Sequence, residues 1–430
     1  MDYFKIKYNR IKHNIYLLSY KQIDVNKMNI DSLVISSSQV SYFPLSMNTI
    51  KILNTSNGIY YFRECRRHLP FREFIDNQID SFADLALKEI SLDNFLQEIP
   101  FRTHFSEDEV NCFLLSLNKC KLSASFYDKI KKMDFYLKKE FFSPWKKKIK
   151  ISREAMAKIG LDCIPDSCVD ILSYFFLYIN SSIVSYLFHD FIPIGQYETF
   201  SASRSIATYI LAKKIGLERL VTPCKMIKLI IDGKTEYGVL CERAPGVRAL
   251  DSNFEITPSL QRELNNLHLL DVICYQTDHF ANNYNIINGE ANETSVCAFD
   301  NDMDKTFFPA LNVCFEAAYG GSAYVRDGEI NRAHVDVKTY EKMKQLDFAD
   351  LEVVLSPYLN KLQIFCLKIR IKKLLKAIKN SVQLNSSFLI DEYQWTESSV
   401  AEELKGKYGM TYLVQYKNKE DINSSFLNKK

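Results

Sequence analysis

The 430 residues hold only 13 glycines, 11 prolines and 2 tryptophans. So few turn formers argue against a many-turned all-β architecture and for a helix-rich one. No two cysteines stand in C-x-x-C spacing and the total, 11, is odd. Reduced thiols in a cytoplasmic compartment are therefore expected, rather than a disulfide framework or a paired zinc site. An excess of one charge is lacking too. Fifty-five basic and 52 acidic side chains leave +3, which makes no electrostatic case for a nucleic-acid partner. Residues 1–7 show no short apolar core followed by small residues, so no secretory signal is expected there. One long uncharged run exists, Ile171 to Phe188, but Asn180-Ser181-Ser182 interrupts its middle. That favours a buried helix pair over a membrane span, and a soluble protein.

What is present is core-forming material. Hydrophobic residues make up 47% and charged residues 25%, over a length that accommodates two or three domains. The segment 1–150 mixes strands (32–35 and 59–62) with helical pattern over 73–140, where Phe113, Leu114 and Leu117 recur at helical spacing. It carries no chemistry of its own and is open to reading as an independent interaction module. The basic run 146–150 reads as a solvated linker. The segment 151–246 holds a helix over 201–215, capped by Ser201 and stopped by Gly216. A hairpin follows, 226–231 and 236–241, because Asp232-Gly233 supplies the positive φ of its turn. The segment 247–416 is mainly helical, with an amphipathic helix over 259–274. Two short strands, 284–287 and 296–299, flank the Asn288-Gly289-Glu290 turn. A basic helix from Leu359 to Lys379 suits a solvated outer face or an acidic or phosphoinositide surface. The tail 417–430 is polar.

Chemistry concentrates between Gln276 and Asp302. Phosphoryl transfer needs a carboxylate to orient a hydroxyl nucleophile, oxygen ligands for magnesium, and cations on the phosphates. Asp278 and Asn283 sit five apart in one loop. The two short strands then deliver Asp300 back beside Asn283. Asp278 is the candidate catalytic carboxylate, and Asn283 and Asp300 are candidate magnesium ligands. Asp302 is a candidate for a second metal or for support behind the first. The alternatives are an Asx-capped helix stop at 278–283 and a plain polar turn at 300–302. His279 reads as a packing or hydrogen-bonding residue, since Asp278 fills the role of base.

An Asp, four intervening residues, an Asn, and a hairpin to a further Asp resembles the atypical branches of the protein-kinase-like superfamily. These are the actin-fragmin kinase, HipA-type kinases and phosphoinositide kinases. The upstream order of helix, hairpin, linker and helix is similar as well. The resemblance implies an α+β, bilobal protein-kinase-like fold with a divergent N-terminal lobe at 151–246, a helical C-terminal lobe at 247–416 and an additional N-terminal region. It implies ATP and magnesium as cofactors and a protein serine or threonine as acceptor. Glu242, Arg243 and Ala244 would meet the nucleotide, Gly246 would act as hinge, and Glu198 would be the helix-side glutamate. The segment 307–322 would line the acceptor site. The chain departs from the pattern in three places: Asp278-His279-Phe280 replaces Asp-Arg-His, no glycine-rich loop is found, and the strand lysine is unassigned. An inositol-phosphate or lipid kinase and a pseudokinase scaffold are the alternatives. The heavy use of Asn, Lys and Ile suggests an AT-rich genome, and with it a bacterial effector working in a host cytosol.

Overall fold

The computed structural model describes residues 21–25, 28–42, 50–70, 73–74, 76–77, 106–119, 161, 163–168, 171, 192, 194–252, 254–276, 279, 283–289, 293–301, 306–309, 325–326, 329–330 and 333–403. The uncharged run beyond Ile171, the basic run 146–150, the stretch 310–322 and the tail 417–430 lie outside these residues. The chain is α+β and forms two compact units. One comprises 1–17, 42–50 and 66–198, and the other 18–41, 51–65 and 199–430.

In the first unit, helix α1 (Glu107–Lys119) starts from a reciprocal cap. The Ser106 hydroxyl accepts the Glu109 N–H, and the Glu109 carboxylate takes the Ser106 N–H at 2.7 Å. Val110, Phe113 and Leu117 form its buried face, one stripe of a 3.6-residue period. Cys112 lies 3.8 Å from Cys168, sulfur to sulfur, and both are free thiols. Cys163, in contrast, is disulfide-bonded, which corrects the all-reduced expectation. Bridging is decided by Cα separation in the fold, which no sequence interval reports.

A six-stranded sheet, whose residues 31–41, 51–64 and 224–242 belong to the second unit, is built from β1 (Asp31–Ile35), β2 (Val40–Tyr42), β3 (Ile50–Thr55), β4 (Gly58–Glu64), β5 (Cys224–Ile231) and β6 (Lys234–Glu242). The order is β1-β5-β6-β4-β3-β2, with β1 parallel to β5 and β4 antiparallel to β6. The strands of residues 31–64 thus share hydrogen bonds with the 224–242 hairpin. Asp232 (φ 46°) and Gly233 (φ 84°) turn that hairpin in the left-handed region. Ile35, Leu53, Phe62, Ile227, Leu229 and Leu240 make one apolar face, and a one-residue slip would turn it outward. Gly238 makes the close approach possible: a Cβ there would stand 2.6 Å from the Phe62 ring and 2.2 Å from the Arg63 carbonyl oxygen.

Helix α2 (Phe200–Lys214) has Thr199, not Ser201, at its N-cap, and Gly216 (φ 75°) follows its end. Helix α3 (Pro258–Cys274) opens with Thr257, whose side chain accepts the Leu260 N–H, and with Pro258 in the first turn. Its expected amphipathic pattern does not hold, because nearly every residue from Leu260 onward is buried. The polar residues are bonded internally instead. Gln261 donates to Asn265 at 2.8 Å, and Glu263 pairs with Arg219 and Arg262. A three-stranded sheet, β7 (Val247–Arg248), β8 (Tyr284–Asn288) and β9 (Thr294–Ala298), is ordered β7-β8-β9. Helices α4 (Val337–Lys344), α5 (Phe348–Leu355), α6 (Lys361–Leu384) and α7 (Glu397–Glu403) follow in the same unit. Residues of α2, α3, α5, α6 and the β8–β9 hairpin close one continuous apolar core. Among the described residues no helix is long and apolar enough to cross a membrane.

Candidate functional site

The β8–β9 hairpin pairs Tyr284 with Ala298, and beyond that pair the Phe299 N–H donates to the Asn283 carbonyl at 2.9 Å. This register brings Asn283 and Asp300 to one end of one hairpin. Asn283 is buried, whereas the Asp300 side chain is 48% exposed. Asp300 itself has φ 63°, a left-handed conformation that a short polar side chain tolerates.

The chain reaches this point from α3 through a tight stop. Tyr275 (φ 63°) caps the helix, and the Gln276 N–H donates to the Asp271 carbonyl at 2.8 Å. Gln276 then acts as a brace. Its Nε2 donates to the Asp300 carbonyl at 3.3 Å, while its Oε1 accepts from the Thr306 hydroxyl at 3.3 Å. Asp271 and His279, both buried, meet at 2.6 Å through Oδ1 and Nδ1. His279 is thus a hydrogen-bonding residue of the interior. Asp278, its neighbour in sequence, and Asp302 lie outside the described residues.

Arg370 of α6 supports the same loop from below. It is fully buried, and it donates from Nε to the Ile273 carbonyl and from Nη1 to the Phe308 carbonyl, both at 3.0 Å. Its guanidinium also lies 5.7 Å from the centre of the Tyr275 ring. The surrounding side chains are buried. Burial pushes the Tyr284 phenol and the Cys274 thiol upward, and with Glu242 nearby holds the Cys297 thiol up at about 12. These groups are neutral packing residues, not nucleophiles.

The cation at the site comes from a strand. Arg63 on β4 places Nη1 3.1 Å from the Asp300 carboxylate and Nη2 3.4 Å from the Ser205 hydroxyl on α2. Strand alternation sends Phe62 to the opposite face, where Lys51 on β3 lies over its ring and pairs with Glu64 and Glu236. Lys51 therefore engages the face away from Asp300. Sequence reasoning missed Arg63, because 59–62 was legible as a strand while its pairing with β6 was not. The alternation around Phe62 is the one signal that points to Arg63.

The remaining candidates are Glu242, Arg243, Ala244 and Glu198. Glu242 ends β6, and its N–H donates to the Pro223 carbonyl at 3.0 Å. Arg243 is exposed, and Ala244 is buried with its carbonyl accepting from Asn285 Nδ2 at 3.0 Å. Glu198 belongs to the first unit, where its N–H donates to the Arg66 carbonyl at 2.8 Å. Among the described residues no group of three or more His, Cys, Asp and Glu side chains could hold a metal ion. Oxygen-bearing side chains at the hairpin end include the Asn283 amide and the Asp300 carboxylate. Such a hard, incomplete set fits magnesium, which takes its other ligands from phosphates and water. No protein-family model matches the chain, and no curated protein does.

Proposed function

We propose that the chain is an ATP- and magnesium-dependent phosphotransferase with a bilobal, protein-kinase-like second unit, acting on serine or threonine of a protein. The observation that carries this reading is the end of the β8–β9 hairpin, where backbone pairing sets Asn283 close to Asp300 and Arg63 binds the Asp300 carboxylate. In this reading the six-stranded sheet and α2 are the smaller lobe, α3 to α6 are the helical lobe, and 242–246 joins them. Asp278 orients the acceptor hydroxyl and takes its proton. Asn283 and Asp300 hold magnesium, which when bound draws charge from the phosphate oxygens. Arg63 supplies the phosphate cation in place of a strand lysine, and the Glu242–Ala244 linker meets the adenine edge.

The test is transfer of label from radiolabelled ATP to a protein mixture, with and without magnesium. Magnesium-dependent labelling that disappears in Asp278→Ala and Asp300→Asn supports the proposal. Labelling unchanged by both substitutions overturns it. Label entering a soluble inositol phosphate, with none in protein, moves the acceptor to that class.

A second reading has one observation in its favour. The Arg63–Asp300 ion pair neutralises the carboxylate that a metal would need. A scaffold that binds partners without turnover would keep such a pair permanently. Nucleotide binding without label transfer to any acceptor would select it.

A further inference from the structure

Helix α6 carries six lysines and one arginine over 24 residues, with no acidic residue among them. Arg370 turns inward with Ile371, Leu374 and Ile378, so the helix is fixed in the core along one face. The other face holds Lys361, Lys372, Lys373, Lys376 and Lys379, all exposed. Leu362 and Phe365 stand among them, 54% and 55% exposed. Phe365, Lys372, Lys376 and Lys379 fall nearly on one line along the axis, because steps of seven, four and three residues return close to the same angle.

One described acid reaches α6 itself, near Lys368 and Lys361, and two others nearby pair with lysines of other elements. Glu352 on α5 pairs with Lys368, Asp350 with Lys214, and Glu341 on α4 with Lys344. Lys372 lies 5.3 Å from the Phe348 ring centre. Among the described residues, the line of Lys372, Lys376 and Lys379 presents positive charge beside two exposed apolar side chains.

We propose that this face of α6 docks on the surface of an anionic lipid bilayer. The lysines meet the headgroups, and Leu362 and Phe365 enter the boundary with the acyl chains. Helix α6 has no acid of its own between Lys372 and Lys379, so this line sets no pairing register for a folded protein partner, whereas a lipid surface requires none. Exposed Phe and Leu next to long lysine stems suit a medium that is apolar below and charged above. The proposal does not depend on the phosphotransferase reading.

Co-sedimentation of the full chain tests it, using vesicles of phosphatidylcholine alone and of phosphatidylcholine mixed with phosphatidylserine. Binding is expected only with phosphatidylserine present. Each lysine near such a surface is worth roughly five-fold in partitioning, so the triple variant Lys372→Gln, Lys376→Gln, Lys379→Gln should bind roughly 100-fold more weakly. Phe365→Trp should show a fluorescence shift to shorter wavelength on binding, as the ring leaves water. Thermal melts of both variants confirm folding. Equal binding to both vesicle types, undiminished binding of the folded triple variant, or binding to soluble polyglutamate but not to vesicles would each overturn the proposal.

Discussion

Arg63 and Asp300 lie 237 positions apart in the chain and 3.1 Å apart in space. The pair joins the six-stranded sheet to the end of the β8–β9 hairpin, so it links the strand that supplies a cation to the loop proposed to hold a metal. Charge-assisted hydrogen bonds are worth about 1.5–3 kcal/mol, so Arg63→Met should raise KM for ATP roughly 10–100-fold. Arg63→Lys should recover only part of this, since a single ammonium replaces a planar fork. Asp300→Asn keeps a residue that tolerates positive φ, so its thermal melt should stay near the wild type while magnesium-dependent transfer falls. Steady-state kinetics beside a melting curve separates the two effects.

The Asp271–His279 contact predicts a loss of both stability and positioning. Asp271→Ala leaves a buried imidazole without its 2.6 Å partner. Orphaning a buried hydrogen-bonding group costs about 1–3 kcal/mol. Asp271→Asn preserves an acceptor and should cost less. Urea denaturation reads this difference. If His279 positions Asp278, kcat should fall further than KM rises in both variants.

Arg370→Met should be more damaging than a typical surface change. It removes donors from the Ile273 and Phe308 carbonyls in a fully buried setting. Two unsatisfied carbonyls imply a loss of about 2–4 kcal/mol, visible in the urea midpoint. An unchanged midpoint would mean that water reaches those carbonyls.

Gly238→Ala places a methyl group 2.2 Å from the Arg63 carbonyl oxygen. Strands β4 and β6 would have to separate, at a cost of about 1–3 kcal/mol as for other overpacked sites. Gly233→Ala meets nothing within 4 Å, but φ 84° is unfavourable for alanine. Its cost should be smaller, about 1 kcal/mol. Thermal unfolding of the two variants ranks them.

Acid should loosen the edge where β1 meets the hairpin. Hydrogen bonds from the Ser37 side chain and N–H hold the Asp232 carboxyl below its ordinary value of 3.8. A hydrogen bond and the charge of Lys225 do the same for Asp31. A carboxyl lowered in this way contributes its full stabilisation above 3.8 and loses it as pH falls through the folded-state value. Asp232→Asn, which suits the same turn, should flatten the fall in urea midpoint with decreasing pH. An identical pH slope in that variant would contradict the assignment.

Local signals in the sequence were legible wherever the backbone itself demanded a residue type. Asp232-Gly233, Gly216 and the Asn288-Gly289 turn marked their elements to within a few residues. The hairpin that sets Asn283 beside Asp300 was legible for the same reason. Partners separated by hundreds of positions were not. Nothing near Arg63 announces that β4 will pair with β6, since register is chosen by the shared apolar face of Phe62 and Leu240. The burial of α3 is not legible in its sequence, because Gln261, Asn265 and Asp271 read as a solvent face without their partners. Arg370 was hidden in the same way, as one more cation on a basic helix.

The parallel pairing of β1 with β5 has a consequence for synthesis. Asp31 waits for Lys225, 194 positions later, before its ion pair can form. At ribosomal rates of about 5–20 residues per second, this is a delay of roughly 10–40 s. Throughout it, the apolar side of the nascent N-terminal strands is uncovered by its final neighbours. Production of the intact protein should therefore depend on chaperone supply more strongly than production of a chain begun at the later hairpin.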